Sequence, residues 1–172
     1  PLDEGIMKDK DERSFIQQTQ EHREKVVEEG LSFLRAVLQD KRVVLVDDSI
    51  VRGTNIRKII KGMRNVGAKE VHVRIGCPPL IAPCYLGIDM RSKKEFIARN
   101  SDGTIKSWEQ IAKEIGADSL GYISIEGLRK AIGVEVCKGC IDFPDGYPKE
   151  MQEDVKQLFK SDKKGMRAYE CI

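Results

Sequence analysis

Several features are scarce in this sequence of 172 residues, and each shortage closes off a class of protein. No apolar run is long. Val43 to Val46 is among the longest, against the roughly 20 residues needed to cross a bilayer, so no membrane span or membrane partner is expected. No basic stretch followed by an apolar one opens the chain, so no secretory signal is legible and a cytoplasmic address is the expectation. The first residue is Pro1 rather than Met, which fits a processed or cut chain. Charge of one sign is missing too: 30 Lys plus Arg face 28 Asp plus Glu, a formal net charge of +2. So balanced a field does not announce a nucleic acid, and any phosphate binding has to be local. Cysteines are few, odd in number and unevenly spaced (Cys77, Cys84, Cys137, Cys140, Cys171). That argues against a secreted disulfide framework and for free thiols or metal ligands.

What is present reads as one α/β domain with a C-terminal extension. Apolar residues at 40% and charged residues at 34% are ordinary for a soluble globular chain. A chain of this length buries roughly two-thirds of its unfolded surface, so it needs no disulfide staple. Residues 7–14 are polar and aperiodic, which predicts a loop. Between Gln18 and Gln39, the apolar Val27, Leu31, Leu34 and Leu38 recur at helical spacing, which predicts an amphipathic helix. Val43–Val46 is a continuous β-branched and aliphatic run, the pattern of a central parallel strand buried on both faces. Ile56, Ile59, Ile60, Met63 and Val66 mark a helix stopped by Gly67, and Val71, Val73 and Ile75 alternate as a strand. Strand, helix, strand is a parallel crossover unit. Downstream, helices are expected over Lys93–Ala98, Ser107–Ile115 (with a Ser107–Gln110 capping box), Ile125–Ile132 and Glu150–Phe159, with a strand at Leu120–Ile123.

The chemistry concentrates in the run from Val43 to Asn55, where a buried strand enters a polar turn that opens a helix. The start of a helix leaves amide hydrogens unpaired and carries partial positive charge. A turn with Gly53 and the hydroxyls of Ser49 and Thr54 therefore suits a phosphate dianion. Asp47 and Asp48 stand at the carboxyl end of the strand, where open parallel sheets bind ligands. Carboxylates only accept hydrogen bonds, which suits sugar hydroxyls or a hydrated Mg²⁺. Acceptors for a diol beside donors for a phosphate describe a ribose 5-phosphate. Alone, the acidic pair reads equally as a solvated turn and helix cap.

The form Val-Asp-Asp-Ser-Ile-Val-Arg-Gly-Thr (Val46–Thr54) resembles the phosphoribosyl-pyrophosphate signature of phosphoribosyltransferases, and of the amidophosphoribosyltransferases in particular. Further blocks follow in the same order: Lys69–Ile75 with Pro78-Pro79, Pro83–Asp89, Glu95–Ala98, Ile115–Leu120 and Ser124–Leu128. The resemblance extends from about Gly5 to Pro148. It implies a type I phosphoribosyltransferase-like parallel sheet flanked by helices, partial because the first strands of the core would precede Pro1. Residues 1–136 would be the transferase domain and 137–172 an extension. It also implies a reaction in which ammonia displaces pyrophosphate from C1 of phosphoribosyl pyrophosphate to give phosphoribosylamine, the first step of purine synthesis. The ammonia would come from a glutaminase domain that is not in this chain. Mg²⁺ would neutralise the leaving pyrophosphate, and a homo-oligomer is implied.

By the same resemblance Asp47 and Asp48 hold the ribose hydroxyls, or Mg²⁺, while Ser49, Arg52, Gly53 and Thr54 enclose the 5-phosphate. A flexible lid in the family corresponds to residues 8–16, of which Lys8, Arg13, Ser14, Phe15 and Ile16 agree or nearly agree. Lys8 and Arg13 are the candidates for pyrophosphate contact, with Arg13 joining Asp47 and Asp48 as a catalytic candidate. Asp9, Asp11 and Glu12 depart from the family pattern and should weaken the hold on a polyanion. Cys84, Cys137 and Cys140 match three ligands of the four-iron, four-sulfur cluster found in one branch. The fourth would lie upstream, or Cys77 would substitute; other branches keep similar cysteines without a cluster, and both readings stand. His22, His72 and Trp108 read as surface or packing residues, and Cys171 as incidental.

Two alternatives differ in kind. A non-catalytic relative would keep the sugar-phosphate site without turnover. A receiver-type signalling domain also starts from a strand ending in Val-Asp-Asp-Ser, with Asp89 near the place of its phosphorylated residue. The length of chain before Asp47 and the Arg52-Gly53-Thr54 turn argue against the receiver.

Overall fold

The computed structural model describes residues 2–8, 25–28, 30–89 and 95–161. Among them, β1 (Ile6–Lys8), β2 (Lys25–Glu28) and β3 (Leu31–Leu34) form an antiparallel sheet in the order β1-β3-β2. A second sheet, parallel throughout, has the order β4-β5-β6, from Arg42–Asp47, Glu70–Ile75 and Ser119–Tyr122. Helix α1 (Arg35–Leu38) links the two sheets, and α2 (Thr54–Asn65) follows β4. Helices α3 (Trp108–Ile115), α4 (Ile125–Ile132) and α5 (Lys149–Ser161) complete the chain. The expected α/β class, a parallel sheet flanked by helices, is what forms.

The core lies between α2, α3 and one face of the parallel sheet. Ile56, Ile60 and Met63 recur at helical spacing and are buried against Val71, Val73 and Ile75 of β5. Gly67, at φ +97°, ends this crossover with a bond from Ala68 N to Met63 O at 3.0 Å. The expected capping box opens α3: Ser107 Oγ accepts from Gln110 N, and Gln110 Oε1 accepts from Ser107 N at 2.8 Å. Residues beyond α4 fold back over the segment after β5. Ile81 N and Ala82 N both donate to Cys140 O, and the Tyr147 hydroxyl donates to Pro83 O and accepts from Tyr85 N. Tyr85, Tyr147 and Val155 of α5 form an apolar cluster there.

Four expectations are corrected, the last in part. The helix over Gln18–Gln39 is replaced, within the described residues, by β2, β3 and the single turn α1. Its apolar spacing was compatible with a helix, but Glu28 pairs opposite Leu31, and Gly30 at φ +78° closes a hairpin between them. Burial of Phe33 in the main core then fixes β3 as a strand. The run Val43–Val46 is a strand, as expected, but among the described residues it has a neighbour on one side alone. It forms the edge of the described sheet, with Val44 58% and Val46 73% exposed, because β5 takes the middle position. Of the helix expected at Lys93–Ala98, residues 93 and 94 lie outside the described residues. The rest is a turn fastened by Ile97 N to Val51 O at 2.8 Å and Lys106 N to Ala98 O at 2.9 Å. The loop expected at residues 7–14 gives Met7 and Lys8 to β1; the remainder lies outside the described residues.

Gly62 is where α2 meets β3: a Cβ there would collide with the ring of Phe33, which is fully buried. Gly to Ala inside a helix normally stabilises by about 1 kcal/mol, whereas overpacking a core costs about 1–3 kcal/mol. Gly62→Ala is therefore expected to lower stability, by ~1–2 kcal/mol in urea denaturation. A gain in stability would contradict this packing.

Candidate functional site

The site grows from the carboxyl end of β4. Asp47 is its last residue, and the chain turns through Asp48–Gly53 into α2. Ile50, 4% exposed, anchors the middle of this turn in the core, which leaves its polar residues facing outward. Gly53 closes it at φ +74°, a left-handed conformation that other residues adopt at a cost. A Cβ at Gly53 would also stand 2.5 Å from Ile97 Cδ1. With glycine at the cap position, no side chain satisfies the first amides of α2. Those amides and the positive end of the helix dipole are directed into the cleft.

That cleft has a volume of about 820 Å³ and is open to solvent. It brings together Asp47, Asp48, Ser49, Arg52, Gly53 and Thr54, all expected from the sequence. Asp47 Oδ1 accepts from Asp48 N at 2.9 Å, and Ser49 Oγ donates to Asp48 Oδ2 at 3.4 Å. Burial holds Asp47 above the usual carboxylate range; the Asp48 amide offsets part of this, and the adjoining Asp48 carboxylate adds to it. Arg52 pairs with Glu95, Nε to Oε2 at 3.0 Å and Nη2 to Oε2 at 2.5 Å. Leu80, Ile88, Asp89 and Glu95 complete the wall. None of these four was expected in this cleft, although Ile88, Asp89 and Glu95 lie in the blocks that resemble the family; the packing of the segments after β5 brings them here.

Lys8 does not join them. It sits exposed at the end of β1, opposite Leu31 of β3, and does not line the cleft. Arg13, with the rest of the lid candidates, lies outside the described residues, as do His22 and Cys171. His72 bonds Ser119 Oγ and Glu70 Oε2, each at 2.9 Å, away from the cleft, and Trp108 lies tilted against Tyr122 with ring centroids 5.9 Å apart. Both fit packing roles.

Cys77, Cys84, Cys137 and Cys140 are free thiols. Burial pushes the Cys140 thiol up to about 11, and the neighbouring Cys84, Cys77 and Cys137 add to the rise. These cysteines are thus near one another. Even so, among the described residues no group of three or more His, Cys, Asp or Glu could hold a metal ion.

Comparison with known proteins gives one consistent result. The chain is 52% identical over 153 residues to the amidophosphoribosyltransferase of Methanocaldococcus jannaschii, covering 88% of this chain and 31% of that protein. It is 45% identical over 161 residues to the enzyme of the same name from Methanothermobacter thermautotrophicus, covering 91% and 32%. Among solved structures it is similar to the glutamine phosphoribosylpyrophosphate amidotransferase of Bacillus subtilis complexed with ADP and GMP. There the TM-score is 0.63 at 43% identity, over 80% of this chain and 31% of that one. No protein-family model matches the chain. The chain spans about a third of the length of the curated relatives it matches.

The raised pKa of Asp47 has a consequence for stability. A carboxyl group whose folded pKa lies above its unfolded value supports the fold fully below the unfolded value, and that support is lost as pH rises through the folded pKa. At neutral pH ionised Asp47 therefore opposes folding. Asp47→Asn, which keeps the acceptor for Asp48 N, is expected to raise the melting temperature at pH 7. The gain should vanish below pH 3.8, the ordinary value for the group. A lower melting temperature at pH 7 would contradict the assignment.

Proposed function

The chain belongs to the amidophosphoribosyltransferase family, and on that premise we propose that its cleft binds phosphoribosyl pyrophosphate for displacement of pyrophosphate from C1 by ammonia. The product would be 5-phosphoribosylamine, formed in the first step of purine synthesis. One observation carries the reading: acceptor-only carboxylates at the end of β4 and the uncapped amides of α2 line a single cleft. In it Asp47 and Asp48 accept from the ribose 2- and 3-hydroxyls. Ser49, Arg52, Thr54 and the amides around Gly53 donate to the 5-phosphate.

Displacement at C1 passes through an oxocarbenium-like state. The work of these residues is therefore to fix the sugar at both ends and hold C1 towards the nucleophile. Mg²⁺ suits a site with one or two carboxylates plus substrate phosphates, and bound there it would neutralise the leaving pyrophosphate. The donor set of Asp47 and Asp48 fits that ion. Cys84, Cys137 and Cys140 would supply three of the four ligands of a four-iron, four-sulfur cluster, although among the described residues no group of three or more His, Cys, Asp or Glu could hold a metal ion.

Ammonia would reach the site from a glutaminase domain outside these residues, in a homo-oligomeric, cytoplasmic enzyme; family membership alone supports those three points. Residues 1–136 are read as the transferase domain and 137–172 as its extension, which packs back on it through Tyr147 and Val155 against Tyr85. A second reading, binding without turnover, is favoured by the placement of Lys8 away from the cleft. Pyrophosphate release from phosphoribosyl pyrophosphate, Mg²⁺ and excess ammonia separates the two. Family membership removes the receiver-type reading of Asp47, Asp48 and Asp89.

Asp48→Ala is expected to weaken ribose 5-phosphate binding at least tenfold in titration calorimetry, a loss of about 1.4 kcal/mol or more. Unchanged affinity would remove Asp48 from the site.

A further inference from the structure

Glu95 opens one of the blocks that resemble the family, but no role in the cleft was expected for it, and its position gives it a function. Its side chain is 20% exposed, while that of Arg52, its partner, is 60% exposed. The fixed member of the pair is Glu95. Phe96, the next residue, is buried; Ile97 N donates to Val51 O at 2.8 Å; and Ile97 Cδ1 lies directly over Gly53. The segment carrying Glu95 is thus fastened to the phosphate turn itself. Arg52 has no comparable packing and would otherwise sweep through solvent. Both of its bonds to Glu95 use Nε and Nη2, one edge of the guanidinium, and converge on a single oxygen. The Nη1 side of the planar fork is left for another acceptor.

We propose that Glu95 is a positioning residue for recognition of the 5-phosphate, acting through Arg52. The inference rests on the reading of the cleft as a ribose-phosphate site and deepens it. The carboxylate sets the plane and direction of the guanidinium before the ligand arrives. Arg52 then meets the phosphate without first losing the freedom of a long side chain. The pair carries no net charge, so the field that attracts the dianion is left to the helix start and its amides. What Arg52 adds is direction. An exposed ion pair of this kind does little for stability, so the effect of Glu95 should appear in ligand binding rather than in melting temperature.

A double-mutant cycle read by titration calorimetry tests this, with ribose 5-phosphate and inorganic phosphate as probes of the 172-residue chain. Glu95→Ala is expected to weaken ribose 5-phosphate binding about tenfold and to weaken inorganic phosphate as well. Glu95→Gln, which keeps the shape and an acceptor oxygen, should recover part of the loss. In an Arg52→Ala background, Glu95→Ala should have no further effect. Tighter or unchanged binding in Glu95→Ala overturns the proposal while leaving the ribose-phosphate site intact. So does an equal loss in the Arg52→Ala background, which would mean that Glu95 acts on its own. If the unaltered chain gives no heat with ribose 5-phosphate, the site reading falls, and this inference with it.

Discussion

The site depends on how the turn between β4 and α2 is anchored. Ile50 is buried beneath it, Ile97 lies over Gly53, and Val51 O receives the amide of Ile97. These three contacts hold a strand end and a helix start side by side, so that carboxylates and free amides face the same space. Everything chemical about the cleft follows from that juxtaposition. Carboxylates elsewhere on the surface would be solvated charges, and a helix start elsewhere would be satisfied by water or a cap. The same anchoring explains why glycine stands at position 53, where left-handed φ and the approach of Ile97 both exclude a side chain.

The arrangement places function and stability in opposition at one residue. Asp47 is partly buried beside a second carboxylate, which raises its pKa and makes its ionised form unfavourable for folding. A solvated loop would relieve that cost, but it would not hold two acceptors side by side at the end of a strand. Nearby, the Arg52–Glu95 pair brings opposite charges together without adding net charge to the cleft. Charge at this site is thus arranged by direction more than by amount, in keeping with the nearly balanced chain as a whole.

How much of this could be read from the sequence varied with the range of the forces involved. Local signals were legible: the β-branched run ending in Asp47-Asp48, the periodic face of α2, the Ser107–Gln110 capping box and the stop at Gly67 are each written within a few residues. So were the six residues of the turn that line the cleft. What failed was decided at longer range. Val27, Leu31, Leu34 and Leu38 have helical spacing, yet burial of Phe33 against Gly62, distant in sequence, favours strands there. Val44 and Val46 read as doubly buried, but burial depends on neighbours that periodicity does not count. Glu95 and Asp89 lie in recognisable blocks, but their place in the cleft comes from tertiary packing, which those blocks do not state. Lys8 matched a family position in sequence but sits at the end of β1, apart from the cleft.

The most direct test follows individual backbone amides by NMR while ribose 5-phosphate is titrated into the labelled chain. Gripping of the phosphate by the start of α2 should shift the amides of Ser49 through Thr54 first and furthest, with the more distant core of β5 and α3 little changed. If the largest shifts fall elsewhere, for instance around the smaller groove lined by Lys113, Asp118 and Ser119, or if the turn amides stay still at saturation, the turn is not the phosphate site.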